Sequence, residues 1–306
     1  MKQPAEQTAV TEEKVQSPAL KNMKDLVKKF KRNKPAVVGF YFIVILLLIA
    51  IIVTVLDRMF GVIVTPHHPN DINLIDRFTG PTAEYWFGTD HMGRDIFARI
   101  IYGMIYTLGI GFASVIMGAL VGVPLGIVAG YYGGRIDNII MRIVDVLLAF
   151  PGILLALAIV SILGGSLVNV TIAVAIYSIP GFARIVRGST LATKKLEYID
   201  AIRALGASDF RIIFRHILPN VLSPIIVNAT LYIATAILTA AGLSFLGMGA
   251  QPPLPEWGAM LNDGRSFLRD AGHIALFPGL AILTVVLAFN IFGDGLRDAL
   301  DPKLKN

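Results

Sequence analysis

Successive apolar runs, each long enough to cross about 30 Å of hydrocarbon, occupy most of this 306-residue chain and make a bilayer its expected solvent. The expected architecture is therefore one all-α membrane domain with six transmembrane helices, rather than the two soluble domains that length alone suggests. Composition agrees: 55% of the residues are hydrophobic and only 16% charged, with a mean hydropathy of +0.68.

Charge sets the orientation. The first 35 residues carry nine Lys or Arg against Glu6, Glu12, Glu13 and Asp25, and so supply +5 of the formal +6. A basic leader before a first span marks a cytoplasmic N-terminus and needs no nucleic-acid partner. That leader is too long and polar for a cleavable signal peptide, so the N-terminus is expected to be kept. The absence of cysteine removes disulfides, thiolate metal sites and a cysteine nucleophile, and leaves the redox compartment open.

Residues 1–19 are too polar to bury and are expected to be disordered. Residues 20–34, with Leu20, Met23, Val27 and Phe30 among lysines, predict a basic amphipathic helix on the cytoplasmic surface. A peripheral first span, 35–56, leads into an extracytoplasmic segment, 57–101, and a five-helix core follows over 102–297, with a tail at 298–306. Within the core the spans fall at Tyr102–Tyr131, from the inner turn marked by Arg135, Asp137 and Arg142 to Leu163, and at Leu167–Phe182, Val221–Leu246 and Ile274–Phe292. Gly118, Gly122, Gly126 and Gly130 recur every four residues on one face of the first of these, a stripe best read as packing within the molecule. The inner loop within 189–220 is the most basic, which places it and both termini in the cytoplasm.

That loop has helical character of its own. Tyr198, Ile199, Ile202 and Leu205 share a face, Gly206 suits a left-handed C-cap, and Ser208 suits the N-cap of a second helix through Phe210, Ile212, Ile213 and Phe214. This second helix is expected to break near Pro219. Such a helix, elbow, helix unit fits either lipid headgroups or a groove on another protein.

The loop resembles that of inner-membrane permease subunits of ABC importers, which reads Glu-Ala-Ala, three residues, Gly, nine residues, Ile, one residue, Leu-Pro. Here Asp200, Ala201 and Ile202 open the match, Gly206 holds the elbow, and His216, Leu218 and Pro219 close it; Asp, Ile and His depart from the pattern. Glu197 to Ser208 with Arg215 to Asn220, Phe87 to Asp90 with Gly93 to Asp95, Gln251 to Gly258, and Gly293 to Asp298 resemble the dipeptide and oligopeptide branch, C-type subunit.

The resemblance implies a type I importer fold without catalysis of its own. It also implies a second permease subunit, two ABC ATPase subunits that bind ATP and Mg, an extracytoplasmic substrate-binding protein and a peptide substrate, all at the bacterial plasma membrane. Glu197, Tyr198, Asp200, Ala201, Arg203, Ala204, Gly206, Ala207, Asp209, Leu218 and Pro219 would then couple to the ATPase. Gly88, Asp90, Arg94, Pro252 and Trp257 would dock the binding protein, and Asn228, Thr235 and Asn290 would line the path. No Gly-x-x-x-x-Gly-Lys-Ser/Thr loop is present, so ATP hydrolysis is assigned to partners.

Asp145 is read as half of a structural ion pair with Arg142, Arg184 or Arg187 rather than as a proton relay. Pro151, Pro180 and Pro278 are expected kinks. His67 and His68 lack further well-spaced ligands, so no metal is assigned. A proton-coupled secondary transporter and a membrane scaffold are the rival classes, and nickel complexes or glutathione the rival cargoes.

Overall fold

The computed structural model describes residues 27–300. Residues 1–26 and 301–306, which include the expected disordered leader and most of the tail, lie outside the described residues. Among those described, the only β pairing is an isolated bridge between Thr89 and Asp95; everything else regular is helical.

Helix α1 (Lys34–Phe60) starts where the Asn33 side chain accepts the Ala36 N–H at 3.2 Å, and it ends on Gly61 at φ +63°. Residues 27–32 are also helical, so the expected surface helix is interrupted at Asn33 rather than running to residue 34. Helix α2 (Ile96–Tyr132) begins six residues earlier than the apolar run suggests, because the Asp95 side chain caps it by accepting from the Phe97 and Ala98 N–H groups. Its 37 residues measure about 55 Å, far beyond the hydrocarbon thickness, so part of it stands clear of the bilayer.

The third span departs most from expectation. Instead of one helix, α3 (Gly134–Leu148) and α4 (Gly152–Leu163) meet at an 86° bend over Ala149, Phe150 and Pro151. Helix α5 (Leu167–Lys194) continues twelve residues past Phe182, so the segment 189–220 begins inside a helix rather than as a loop. Helix α8 (Leu218–Phe245) and helix α10 (His273–Leu300) complete the bundle; α10 reaches past the expected start of the tail at residue 298. Pro180 and Pro278 sit inside α5 and α10.

The glycine stripe explains how the bundle closes. Successive glycines of α2 meet successive turns of α5: Gly118 faces Ser178, Gly122 faces Phe182, Gly126 faces Val186 and Gly130 faces Thr190. The numbers rise together, so α2 and α5 run parallel. The α3–α4 pair must therefore carry the chain back across between them, and it counts as one crossing. Helix α1 runs antiparallel to α10, with Ala36 against Gly295 and Gly39 against Ala288 and Phe292. Six crossings follow, and Asn33 and Leu300 lie at the same end.

Without a hydrophobic drive between helices in lipid, close backbone approach of this kind is what holds such a bundle. A Cβ on Gly122 would lie 2.6 Å from the Ile179 carbonyl oxygen and 2.7 Å from the Phe182 Cβ. Polar tethers supplement the packing. Arg187 grips Asp137 with two hydrogen bonds, 2.5 and 2.6 Å, tying α5 to α3. Asp145 pairs with Arg184 at 2.7 Å, the structural ion pair expected of it.

Candidate functional site

Between α5 and α8 the chain forms a compact elbow at the end of the bundle that carries Asn33. Helix α6 (Glu197–Ala204) stops at Leu205, Gly206 turns the chain at φ +83°, and Ser208 starts α7 (Asp209–Ile212) by accepting the Arg211 N–H at 3.4 Å. A β-carbon at Gly206 would meet nothing within 4 Å, so glycine is there for its backbone conformation and not for space.

The expected break at Pro219 is absent. A single wider turn, Ile213–Ile217, joins α7 to α8, and its wider hydrogen-bond spacing accommodates Pro219, which has no N–H to donate, at the start of α8. Asp209 to Phe245 is therefore one continuous helical rod of 37 residues.

The elbow has its own small core, separate from that of the membrane bundle. Ile199, Ile212, Ile217 and Val221 pack with Ile127 and Tyr131 of α2 and Val186 of α5. Each such aliphatic side chain taken from water contributes roughly 1.5 to 3 kcal/mol, enough to fix the elbow as a body. Tyr131 is its polar anchor. Its hydroxyl donates to Asp209 at 2.6 Å, its carbonyl accepts from the Lys194 ammonium, and Lys194 and Arg203 lie 5.5 and 5.8 Å from its ring centre. The neighbouring Tyr131 hydroxyl is the main influence that raises the Arg203 pKa. On the far side, the Asn220 side chain donates to the Tyr198 hydroxyl at 3.0 Å.

What remains exposed is chemically distinctive. Glu197, Asp200, Ala201 and Ala204 recur at helical spacing along the outer face of α6, the two alanines leaving room for close approach. Beside them Leu205 is 87% exposed and Phe210 70% exposed, and the Phe210 and Phe214 rings meet at a 36° tilt with their centres 4.4 Å apart. Leu205 thus leaves the face shared by Tyr198, Ile199 and Ile202, because α6 ends one residue before it. Of that foursome Ile199 alone is fully buried, Ile202 is half-buried and Tyr198 is exposed. Ala207 is half-buried, as is Leu218, while Arg203 reaches Asp200 at 3.5 Å on the surface.

At the opposite end, four of the five expected docking residues are interior. Gly88, Asp90, Arg94 and Trp257 are buried; Pro252 is exposed. Arg94 donates to Asp90 at 2.6 Å and to Asp263 at 3.4 Å, and the Trp257 indole donates to the Ile100 carbonyl at 3.0 Å. These groups clamp the 57–95 segment to α2 and to α9 (Trp257–Gly264) and offer no contact surface. Burial of the charges follows from pairing, which loop polarity does not reveal. His67 lies 3.1 Å from Asp95 and stacks on Tyr85. The exposed apolar residues here are others: Ile72, Leu74, Ile75 and Trp86. Gly93, three residues before α2, packs under the Asn73 carbonyl, so Ile72, Leu74 and Ile75 stand beside the start of α2.

Of the expected path residues, Asn228 is half-buried and donates to the Pro224 carbonyl at 2.8 Å. Thr235 is exposed and donates to the Leu231 carbonyl, and Asn290 is exposed. The two hydrogen bonds satisfy these groups within their own helix. The sequence reading missed Tyr131 and Lys194, although a Tyr-Tyr pair ending a span is the aromatic interfacial signal. It also missed Glu256, a buried carboxylate that caps α9 by accepting the Gly258 and Ala259 N–H groups at 2.9 Å each.

Six crossings with a self-cored helical elbow at one end and a clamped loop platform at the other define a polytopic permease of the type I ABC importer fold. Solved structures agree on the fold: the MetNI methionine ABC transporter in inward-facing conformations matches with a TM-score of 0.55 at 20% identity, covering 67% of this chain and 98% of that one. An amino acid ABC transporter with histidines matches with a TM-score of 0.50 at 18% identity, covering 64% and 91%. The family is fixed by sequence: residues 122–306 match the family of binding-protein-dependent transport system inner membrane components, and residues 22–81 match the N-terminal membrane domain of oligopeptide transport permease C. The chain belongs to this family. It is 51% identical over 280 residues to the glutathione transport system permease protein GsiD of Pectobacterium atrosepticum, covering 91% of this chain and 90% of the relative. It is also 51% identical over 288 residues to the dipeptide transport system permease protein DppC of Alkalihalophilus pseudofirmus, covering 94% and 92%.

Proposed function

We propose that this chain is one of two permease subunits enclosing the path of an ATP-driven importer of small peptides, with glutathione a cargo of the same complex. The elbow then seats in a groove of a cytoplasmic ATPase subunit, and closure of two such subunits on ATP and Mg turns the attached helices. The permease itself makes and breaks no covalent bond. Relatives named for dipeptide and for glutathione transport support a cargo that carries both amide bonds and terminal charges.

The observation that carries this reading is the apolar crest of Leu205, Phe210 and Phe214 on a segment whose small core is shared with the ends of α2 and α5. Exposed aromatic and aliphatic side chains flanked by acids and small residues suit a protein groove better than water. The excess of Lys and Arg at this end supports a cytoplasmic position for it and for both termini. The opposite platform then faces outward to receive a substrate-binding protein, with Pro252 and the Ile72, Leu74, Ile75 and Trp86 ridge as its contact residues. Asn228, Thr235 and Asn290 would line the path.

The test is Phe210→Asp with Leu205→Asp, substitutions at sites where folding asks little of the side chain, alongside Gly206→Asp, which strains the elbow backbone. The reading expects normal membrane insertion, loss of co-purifying ATPase subunits and loss of dipeptide uptake for the double variant. Uptake and ATPase association that both persist in the double variant would show that the crest is not the coupling contact.

A further inference from the structure

A groove of about 300 Å³ opens on the side of the bundle where residues 27–32 fold against the starts of α1 and the end of α10. Its walls are Val27, Phe30, Val37, Phe40, Phe292 and Leu296. The aromatic rings make a continuous lining: Phe30 lies 5.8 Å from Phe292 and 6.2 Å from Phe40, and Phe40 lies 5.5 Å from Phe292. The rim is basic. Lys28, Lys29, Lys31, Arg32 and Lys34 fall within eight residues that contain no acid. Two exposed acids of α10 lie at this end: Asp298, engaged by the Asn33 side chain at 3.5 Å, and Asp294, between Phe292 and Leu296 in the chain.

Depth decides what such a groove can hold. Val37 to Tyr41 occupy the first two turns of α1, within about 12 Å of its start, so the apolar walls lie at the edge of the hydrocarbon while the basic rim lies outside it. Elsewhere on α1 the exposed residues Ile45, Leu48 and Ile52 form a convex row that any acyl chain can cover. The concavity, the aromatic walls and the charge above them fit an amphiphile whose tail enters the groove and whose negative headgroup meets the rim. Basic pockets beside membrane helices bind anionic headgroups for this reason.

We propose that this groove is a binding site for one anionic phospholipid, with Lys31 and Arg32 contacting its phosphate and Val37, Phe40 and Phe292 its acyl chain. A bound lipid would brace residues 27–32 against α10 and tie the N-terminal segment to the membrane face beside the elbow.

The test reads lipid retention on the assembled transporter, purified from membranes of phosphatidylglycerol and phosphatidylethanolamine and examined by native mass spectrometry. No cargo is involved, so its result is independent of the peptide assignment. The wild type is expected to carry phosphatidylglycerol. Lys31→Gln with Arg32→Gln should weaken retention about thirtyfold, since each basic residue near an anionic surface contributes about fivefold. Val37→Trp, which fills the groove and leaves the charges in place, should lower it as well, and Arg135→Gln, a basic change elsewhere at this end, should not. Membrane yield and assembly, checked on the same samples, separate a lost site from a misfolded subunit. Equal phosphatidylglycerol retention in all variants, or phosphatidylethanolamine carried in bulk proportion, would overturn the proposal. So would the finding that the second permease subunit or residues 20–26 fill the groove.

Discussion

The Tyr131 hydroxyl, at the last turn of α2, donates to the Asp209 carboxylate at 2.6 Å, so the first residue of α7 is fastened to a different membrane helix from the one it continues into. The elbow is thereby held by α2, α5 and α8 together. Tyr131→Phe removes that bond and leaves the ring in its packing, at a cost of about 1 kcal/mol. ATPase subunits should still co-purify, while the ratio of peptide taken up to ATP hydrolysed in proteoliposomes falls. An unchanged ratio would show that α2 is not driven through this contact.

The glycine stripe makes a sharper prediction about stability. Gly122→Ala places a methyl group against the Ile179 carbonyl and the Phe182 side chain, and should destabilise the subunit by about 1 to 3 kcal/mol. Gly109→Ala, in the same helix with nothing within 4 Å of the new carbon, should be neutral or stabilising by up to about 1 kcal/mol. Thermal unfolding of detergent-solubilised protein should rank them Gly109→Ala at or above wild type and Gly122→Ala below; the reverse order would contradict the parallel packing of α2 on α5.

Glu256 gives the platform a pH dependence. Burial raises its carboxyl pKa above the ordinary value of 4.5, against the lowering effect of its bonds to the Gly258 and Ala259 N–H groups. The folded state therefore holds this proton more tightly than the unfolded chain does. Its contribution is fully present below the unfolded pKa and is lost as pH rises through the raised folded value. The difference in melting temperature between wild type and Glu256→Gln should shift against the wild type as pH increases from about 4.5. A difference that stays constant across that range would exclude Glu256 as the titrating group.

Much of this architecture was legible because its causes are local. Hydropathy marks the spans, Gly206 and Ser208 announce their caps by residue type, and a four-residue glycine period states a helix contact without naming the partner. The misreadings arise where a distant group decides. Asp90 and Arg94 read as surface because a loop is polar, yet each supplies the other's counter-charge in the interior. The start of α2 hid behind Arg94, Asp95 and Arg99, since hydropathy cannot see a helix cap. Pro151 marked a kink, but the apolar residues on both sides gave no measure of an 86° bend. Pro219 was expected to end a helix, and the wider turn before it lets the helix pass instead.

That passage through Pro219 has a mechanical meaning. A broken helix there would make the elbow a flap, free to swing while α8 stood still. The rod from Asp209 to Phe245, about 55 Å long, holds the wider turn at Ile213–Ile217 and Pro224 but no break, so a turn imposed at Phe210 would be carried towards Gly247, beside Asn262 on the opposite platform.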